Sequence, residues 1–285
     1  LYMFVLERKN DAPILRIDIS KPSPMFAYPG MSMFPETTIG RDDRFRGSGF
    51  DGRSIWLGTM KGTHIVRWVD TTKAVFAQDG YSSSGLTFIN DTLEEGVLVP
   101  TLFKKHFTSN FSVSAGRFEN HATASFDGNE TIYMTPSHTN YVLAFNVVSG
   151  ISRELRDWPA PTGEFFRGMP FLGSVYDNHR YVWLAPYDSL HVARIDVTPS
   201  GGEAIGRVSI TWPSQVAPIG AQSFGGAPCD SEHVWFAPRR ASAVVRINIH
   251  DDSLSYYNGW PSLKSGFKKD AGFTGIAFDG VEAMW

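Results

Sequence analysis

Phe171-Leu172-Gly173-Ser174-Val175-Tyr176-Asp177-Asn178, then Val182-Trp183-Leu184, then Val192-Ala193-Arg194-Ile195-Asp196 and finally Trp212-Pro213 make up a unit that the chain writes repeatedly. The first element recurs as Phe45-Arg46-Gly47-Ser48-Gly49-Phe50-Asp51-Gly52 and as Phe273-Thr274-Gly275-Ile276-Ala277-Phe278-Asp279-Gly280. Degraded copies at Phe224 to Ser231, His121 to Gly128 and Ser83 to Asn90 bring the number to six. Their anchors, Phe50, Phe88, Phe126, Tyr176, Cys229 and Phe278, are separated by 38, 38, 50, 53 and 49 residues, the size of one small antiparallel sheet. The second element returns as Ile55-Trp56-Leu57, Ile132-Tyr133-Met134 and Val234-Trp235-Phe236, and Pro100, Pro136, Pro186 and Pro238 sit just after such runs. The third returns as Ile14 to Asp18 and Val244 to Asn248, with Ala144 in the Arg place of Val142 to Asn146. Trp56 to Arg67, Trp183 to Arg194 and Trp235 to Arg246 all span 11 residues. The fourth ends in aromatic-Pro, at Tyr28-Pro29, Trp158-Pro159, Trp212-Pro213 and Trp260-Pro261.

Asp-Gly or its equivalents between alternating apolar runs is a hairpin signal, because a type I′ turn needs positive φ at both central residues. Helical periodicity is nearly absent, so each unit reads as four short strands. The repeat resembles the broad class of propeller repeats typified by the NHL, kelch, SMP-30-like and streptogramin-lyase-like proteins, and it covers almost the whole chain. The Gly-His and Trp-Asp pairs of WD40 repeats are absent, as is a double Gly in every unit. The resemblance implies a β-propeller and a habit of binding through loops; it implies no reaction. The expectation is an all-β, six-bladed β-propeller of four-stranded antiparallel blades, with a seven-bladed ring as the alternative. Pairing of the N- and C-terminal strands would close the ring. The blades fall at 273–285 plus 1–34, 35–82, 83–118, 119–160, 161–214 and 215–272. Small residues of the first element suit the inner strand, and aromatic-Pro suits an outer edge.

Composition bounds the function classes. The chain has 285 residues, a net charge of -3, 42% hydrophobic and 14% aromatic residues, and one Cys. A chain of this size buries enough surface to need no staples. No stretch nears the roughly 18 apolar residues of a membrane span, which predicts a soluble protein. Leu1-Tyr2-Met3 has neither an initiator Met nor a leader, so any targeting segment is expected to lie outside this sequence. Cys229 alone forms no internal disulfide, which favours a reducing intracellular compartment and leaves localisation otherwise unassigned. Three sequons occur, at Asn90, Asn110 and Asn129; chance alone supplies about one or two, so they do not establish secretion.

No pair among the eight His has metal-ligand spacing, so no catalytic residue, metal or cofactor is assigned. His121, Arg167, Gln222 and Asp270 fall where inner strands meet the channel mouth, and a divalent metal there is the enzyme alternative. The repeated Asp51, Asp127, Asp177, Asp230 and Asp279 read as turn formers. Arg16, Arg194 and Arg246 are expected to pair with Asp18, Asp196 and Asn248 on a shared strand face. Trp56, Trp183, Trp235 and Tyr133 read as blade-to-blade core.

In a propeller the second-to-third loops and the fourth-to-first connections share one rim. The loops of the first kind hold seven bases (Arg8, Lys9, Lys61, Lys104, Lys105, Arg239 and Arg240) against three acids (Glu7, Asp11 and Asp188). Those of the second hold six bases, among them Arg167, Lys268 and Lys269, against five acids. A basic rim on a net-negative chain fits an acidic or phosphorylated protein surface. Nucleic acid is a weaker candidate at a pI near 6.3. Phe165, Phe166 and Arg167, in a loop of Gly, Pro and Thr, are the expected anchors, whose replacement should spare stability. The functional expectation is a non-catalytic interaction or scaffold module of a larger assembly. The alternatives are a propeller hydrolase or lyase with a channel metal, and a carbohydrate-binding lectin, for which no loop aromatic recurs beside Asn or Asp.

Overall fold

The computed structural model describes strand backbones within 2–104, then residues 121–165, 168–259, 272–273, 275–278 and 284. The chain divides into two compact units, Leu1–His106 with Val113–Phe118, and Phe107–Ser112 with Glu119–Trp285. All the sheets are antiparallel meanders in chain order.

In the first unit β1 (Tyr2–Leu6), β2 (Ile14–Asp18) and β3 (Met25–Tyr28) form a three-stranded sheet. The next sheet runs β4 (Phe45–Phe50), β5 (Ser54–Thr59), β6 (His64–Asp70) and β7 (Leu98–Lys104). Here one expectation is corrected. The run at 98–104 is not the second strand of a blade at 83–118; it pairs with β6 as the outer strand, with Pro100 opposite Trp68. An outer strand tolerates Pro because one of its edges is unpaired.

The second unit has two complete four-stranded sheets. One is β8 (His121–Phe126), β9 (Thr131–Pro136), β10 (Val142–Asn146) and β11 (Ser152–Leu155). The other is β12 (Phe171–Tyr176), β13 (Tyr181–Pro186), β14 (Ala193–Asp196) and β15 (Ile205–Arg207). A third sheet, β16 (His233–Phe236), β17 (Val244–Asn248) and β18 (Leu254–Tyr257), takes its inner strand as two isolated bridges, Phe224 to Pro238 and Cys229 to Val234. A further bridge joins Phe278 to Met284.

The 11-residue spacing has a geometric cause. Trp56 lies directly opposite Arg67, Trp183 opposite Arg194, and Trp235 opposite Arg246. The Arg194 guanidinium lies 5.2 Å from the Trp183 ring and 4.3 Å from Tyr181, and Arg246 sits 5.5 Å from both Trp235 and Tyr257. Such cation–π contacts replace the expected Arg-to-Asp strand pairing. Asp196 pairs instead with Arg180, and Arg194 reaches Asp252 of the following sheet's hairpin. Where Ala144 fills the Arg place, its cross-strand neighbour Arg153 joins Tyr133 in bonding Glu203, again from the next sheet. Asp252 and Glu203 are both left-handed residues of third-to-fourth-strand hairpins, at φ 59 and 58.

Trp183 and Tyr133 are fully buried between sheets, as expected. Trp183 packs with Val234, Phe236 and Val245, while Tyr133 packs with Val182, Leu184 and Ile195. Inner strands approach closely through small residues. Ser125 donates to Ser174 at 2.8 Å, and a Cβ on Gly173 would lie 2.9 Å from the Gly226 backbone. Tyr28 ends the outer strand β3 as expected, whereas at Trp158-Pro159 and Trp212-Pro213 the aromatic lies beyond the outer strand. Trp158 and Trp212 fold back beyond β11 and β15 and stack on Phe171 and Phe224, at 5.7 and 5.6 Å, so they wedge each outgoing connection against the next inner strand. No helix among the described residues is long and apolar enough to cross a membrane.

Candidate functional site

The second unit gathers its second-to-third loops and its fourth-to-first connections at one rim, and backbone bonds tie the two kinds together. The Trp158 indole donates to the Asn140 carbonyl and that of Trp212 to the Leu190 carbonyl, both at 2.9 Å, fixing each outgoing connection to its own sheet's loop. Asp188 is the central pin. Its two carboxylate oxygens accept the amides of Met169 and Gln222, each at 2.9 Å, so one side chain holds the connections before and after its sheet. Gln222 takes a left-handed conformation, φ 58, to present that amide.

Arg239 and Arg240 extend this network into the next loop. The Arg239 amide donates to Ser223 at 2.8 Å and that of Arg240 to Gln222 at 3.1 Å. The Arg239 guanidinium lies 5.0 Å from the Tyr187 ring, a contact that orders a cation at the surface without neutralising it. Arg240 is exposed. The nearby acids are engaged elsewhere: Asp188 holds backbone amides, and Glu164 meets His191 at 2.5 Å and Arg207 at 3.7 Å.

Three expected site residues are corrected. Phe165 is fully buried, packed 5.5 Å from Trp158 and 5.4 Å from His191, because the Thr162–Glu164 turn directs it inward. It is core, not an interface anchor. His121 is only 3% exposed and lies edge-on to Tyr141 at 5.6 Å, so it is not displayed at a channel mouth. Burial pushes the Tyr141 hydroxyl up to about 12, with Glu154 adding to the shift and Arg156 opposing it. Lys104 closes β7 opposite His64, and so stands at an outer strand's end and not in a second-to-third loop. Gln222, Arg239 and Arg240 are brought together. Phe166, Arg167, Lys105, Lys268, Lys269 and Asp270 lie outside the described residues. Sequence reasoning missed Tyr187 and the role of Asp188; the recurrence of a loop right after Pro186 was the available signal. Among the described residues no group of three or more His, Cys, Asp or Glu gathers as metal ligands would.

No family model matches the sequence, and no curated protein matches it. Solved structures do. A virginiamycin B lyase from Staphylococcus aureus solved with quinupristin superposes with a TM-score of 0.58 at 17% identity, over 96% of this chain and 70% of that one. The fold is that of a β-propeller repeat protein. A chain of a nidogen–laminin complex matches with a TM-score of 0.56 at 12% identity, over 98% of this chain and 82% of that one. The PQQ-bound aldose sugar dehydrogenase from Streptomyces coelicolor matches at 0.54 and 13% identity, over 97% and 81%. At such identities the likeness concerns the propeller fold alone.

Proposed function

We propose that this propeller is a non-catalytic interaction module of a larger assembly, which captures an acidic or phosphorylated protein segment on the rim carrying Arg239 and Arg240. The observation behind this reading is the fixed Arg239-Arg240 turn. Both backbones are pinned to residues 222–223, and the neighbouring carboxylates are already committed to other partners. Pre-ordered cations lose less entropy on binding, and charge-assisted bonds to carboxylate or phosphate are roughly twice as strong as neutral ones. The nidogen–laminin neighbour is a propeller solved with a protein partner, which accords with this use of the fold. The test is a titration of a fluorescent glutamate-rich peptide. Arg239→Ala combined with Arg240→Ala is expected to weaken binding about tenfold or more, and added salt to weaken the wild type. Equal affinity of the two proteins would reject the assignment.

The proposal includes a six-bladed ring. The six copies of the first element support that count, although the strand at 98–104 belongs to the sheet before it. Pairing of the N- and C-terminal strands would close that ring. A second reading, a propeller hydrolase or lyase with a divalent metal in the channel, draws on the lyase and dehydrogenase neighbours. Stoichiometric Ca, Mg or Zn in protein purified without chelator would favour it.

A further inference from the structure

The opposite rim, where the first-to-second and third-to-fourth turns emerge, carries a departure from the repeat. In two copies the turn Asp is consumed completely. Asp177 Oδ1 accepts the amides of His179, Arg180 and Tyr181 while Oδ2 accepts the Trp183 indole at 2.9 Å. Asp230 Oδ1 accepts the amides of Glu232 and His233 while Oδ2 accepts the Trp235 indole at 2.7 Å. Asp127 keeps the first half of this arrangement, with Oδ1 accepting from Asn129 and Thr131. Its second half is missing, because Tyr133 stands where the other copies have Trp and turns its hydroxyl to Glu203. Asp127 is 9% exposed, its Oδ2 takes no hydrogen bond among the described residues, and that oxygen is not sealed from solvent. Asp127 lines a recess of about 620 Å³.

We propose that this recess binds a sugar, with Asp127 Oδ2 accepting its hydroxyls. The wall also holds Asn129, Arg153, Tyr176, His179 and Thr198, which mix donors and acceptors with aromatic surface. Tyr176 is held against Gly128, where an added Cβ would meet the ring at 3.2 Å, and it supplies a platform for the C–H face of a pyranose. The class follows from the wall's donors and acceptors. Arg153 is already paired with Glu203, which lines the same recess, so the open Asp127 oxygen stands among neutral amide, hydroxyl and ring groups and calls for hydroxyl donors. Neighbouring hydroxyls of one sugar can donate to Asp127 and accept from Arg153 or Asn129 together. The volume lies within the range of small-molecule sites, about 300–1,000 Å³. This site is independent of the rim that carries Arg239.

The test uses the full chain made in bacteria, so that Asn129 of the Asn129-Glu130-Thr131 sequon stays bare. Glucose, galactose, mannose and N-acetylglucosamine are each offered at millimolar concentration in saturation-transfer NMR. At least one is expected to receive saturation and to shift the Tyr176 and His179 ring resonances, a readout that needs no substitution. Asp127→Asn keeps the acceptor for the turn amides and is expected to weaken binding about tenfold. Tyr133→Trp offers Oδ2 the indole N–H that the other copies supply, and is expected to do the same. Transfer to none of the four sugars, transfer without shifts at Tyr176 and His179, or binding unchanged in both folded variants would overturn the proposal. So would binding of methylammonium in place of every sugar.

Discussion

Asp177 accepts three backbone amides and the Trp183 indole, and it is 2% exposed. Removing such a hub leaves several buried donors unsatisfied. Asp177→Ala is therefore expected to destabilise by about 2–4 kcal/mol, read as a loss of roughly 5–15 °C in thermal midpoint. Its role as a turn former was legible, since Asp precedes Asn or Gly in the repeat. The indole bond was not, because Asp177 to Trp183 and Asp230 to Trp235 differ in spacing by one residue and no sequence rule links them. Nor is the turn of the type expected: Gly128, Asn178 and Ser231 are left-handed, but the Asp before each is not among the positive-φ residues. The carboxylate organises a longer loop by accepting its amides, which removes the need for a second left-handed residue. Phe165→Ala should cost about 3–5 kcal/mol, since it opens a cavity beside Trp158 and Phe171. A cluster of Phe, Phe and Arg in a Gly-Pro loop looks the same in sequence whether an aromatic points in or out. Cys229 titrates at the same scale. Burial pushes its thiol up to about 11, above the ordinary value near 9. The native state thus holds the proton more tightly, so this contribution to stability is full below pH 9 and is lost as pH rises through 11. Alkylation of the folded protein at pH 8 should be slow and should accelerate with a midpoint near 11; a midpoint at or below 9 would contradict this burial.

Strand pairing explains why the 11-residue Trp-to-Arg spacing was so informative. A second strand, a short loop and a third strand place those two residues opposite each other whenever the loop length is kept, and the same register is found in three sheets. Each of those sheets also shifts register or breaks its ladder near the start of the inner strand, at Phe45/Gly47, Phe171/Gly173 and Phe224. Gly173 is the residue this arrangement constrains most, since the backbone of Gly226 and Ala227 occupies the place of a side chain. Gly173→Ala is expected to destabilise by about 1–3 kcal/mol by forcing the inner strands apart, measurable by denaturant unfolding with an unchanged slope. What the sequence hid at this scale is the partner of β6. Residues 71–97 separate β6 from β7, so a strand that belongs to one sheet reads as the start of another. The fold-back of Trp158 and Trp212 was hidden for a related reason. Aromatic-Pro marks the end of a run equally well whether the aromatic ends the strand or caps the connection beyond it.

At the scale of the whole molecule, loops of the second unit that are far apart in sequence share a rim because its described sheets are meanders in chain order. That geography could be drawn from the repeat before any coordinates, but the backbone bonds that join Arg239 and Arg240 to residues 222–223 could not. It could not tell which acids on the rim remain available, because Asp188 and Glu164 count as charges in the sequence while the fold commits them to local partners. The most direct test of the interaction-module account is native mass spectrometry of the protein taken from its source, which reports companions and bound ions in one spectrum. The account predicts a complex with an acidic or phosphorylated protein that dissociates as salt is raised and does not form with the Arg239→Ala, Arg240→Ala variant. A lone chain carrying one stoichiometric divalent metal would contradict it.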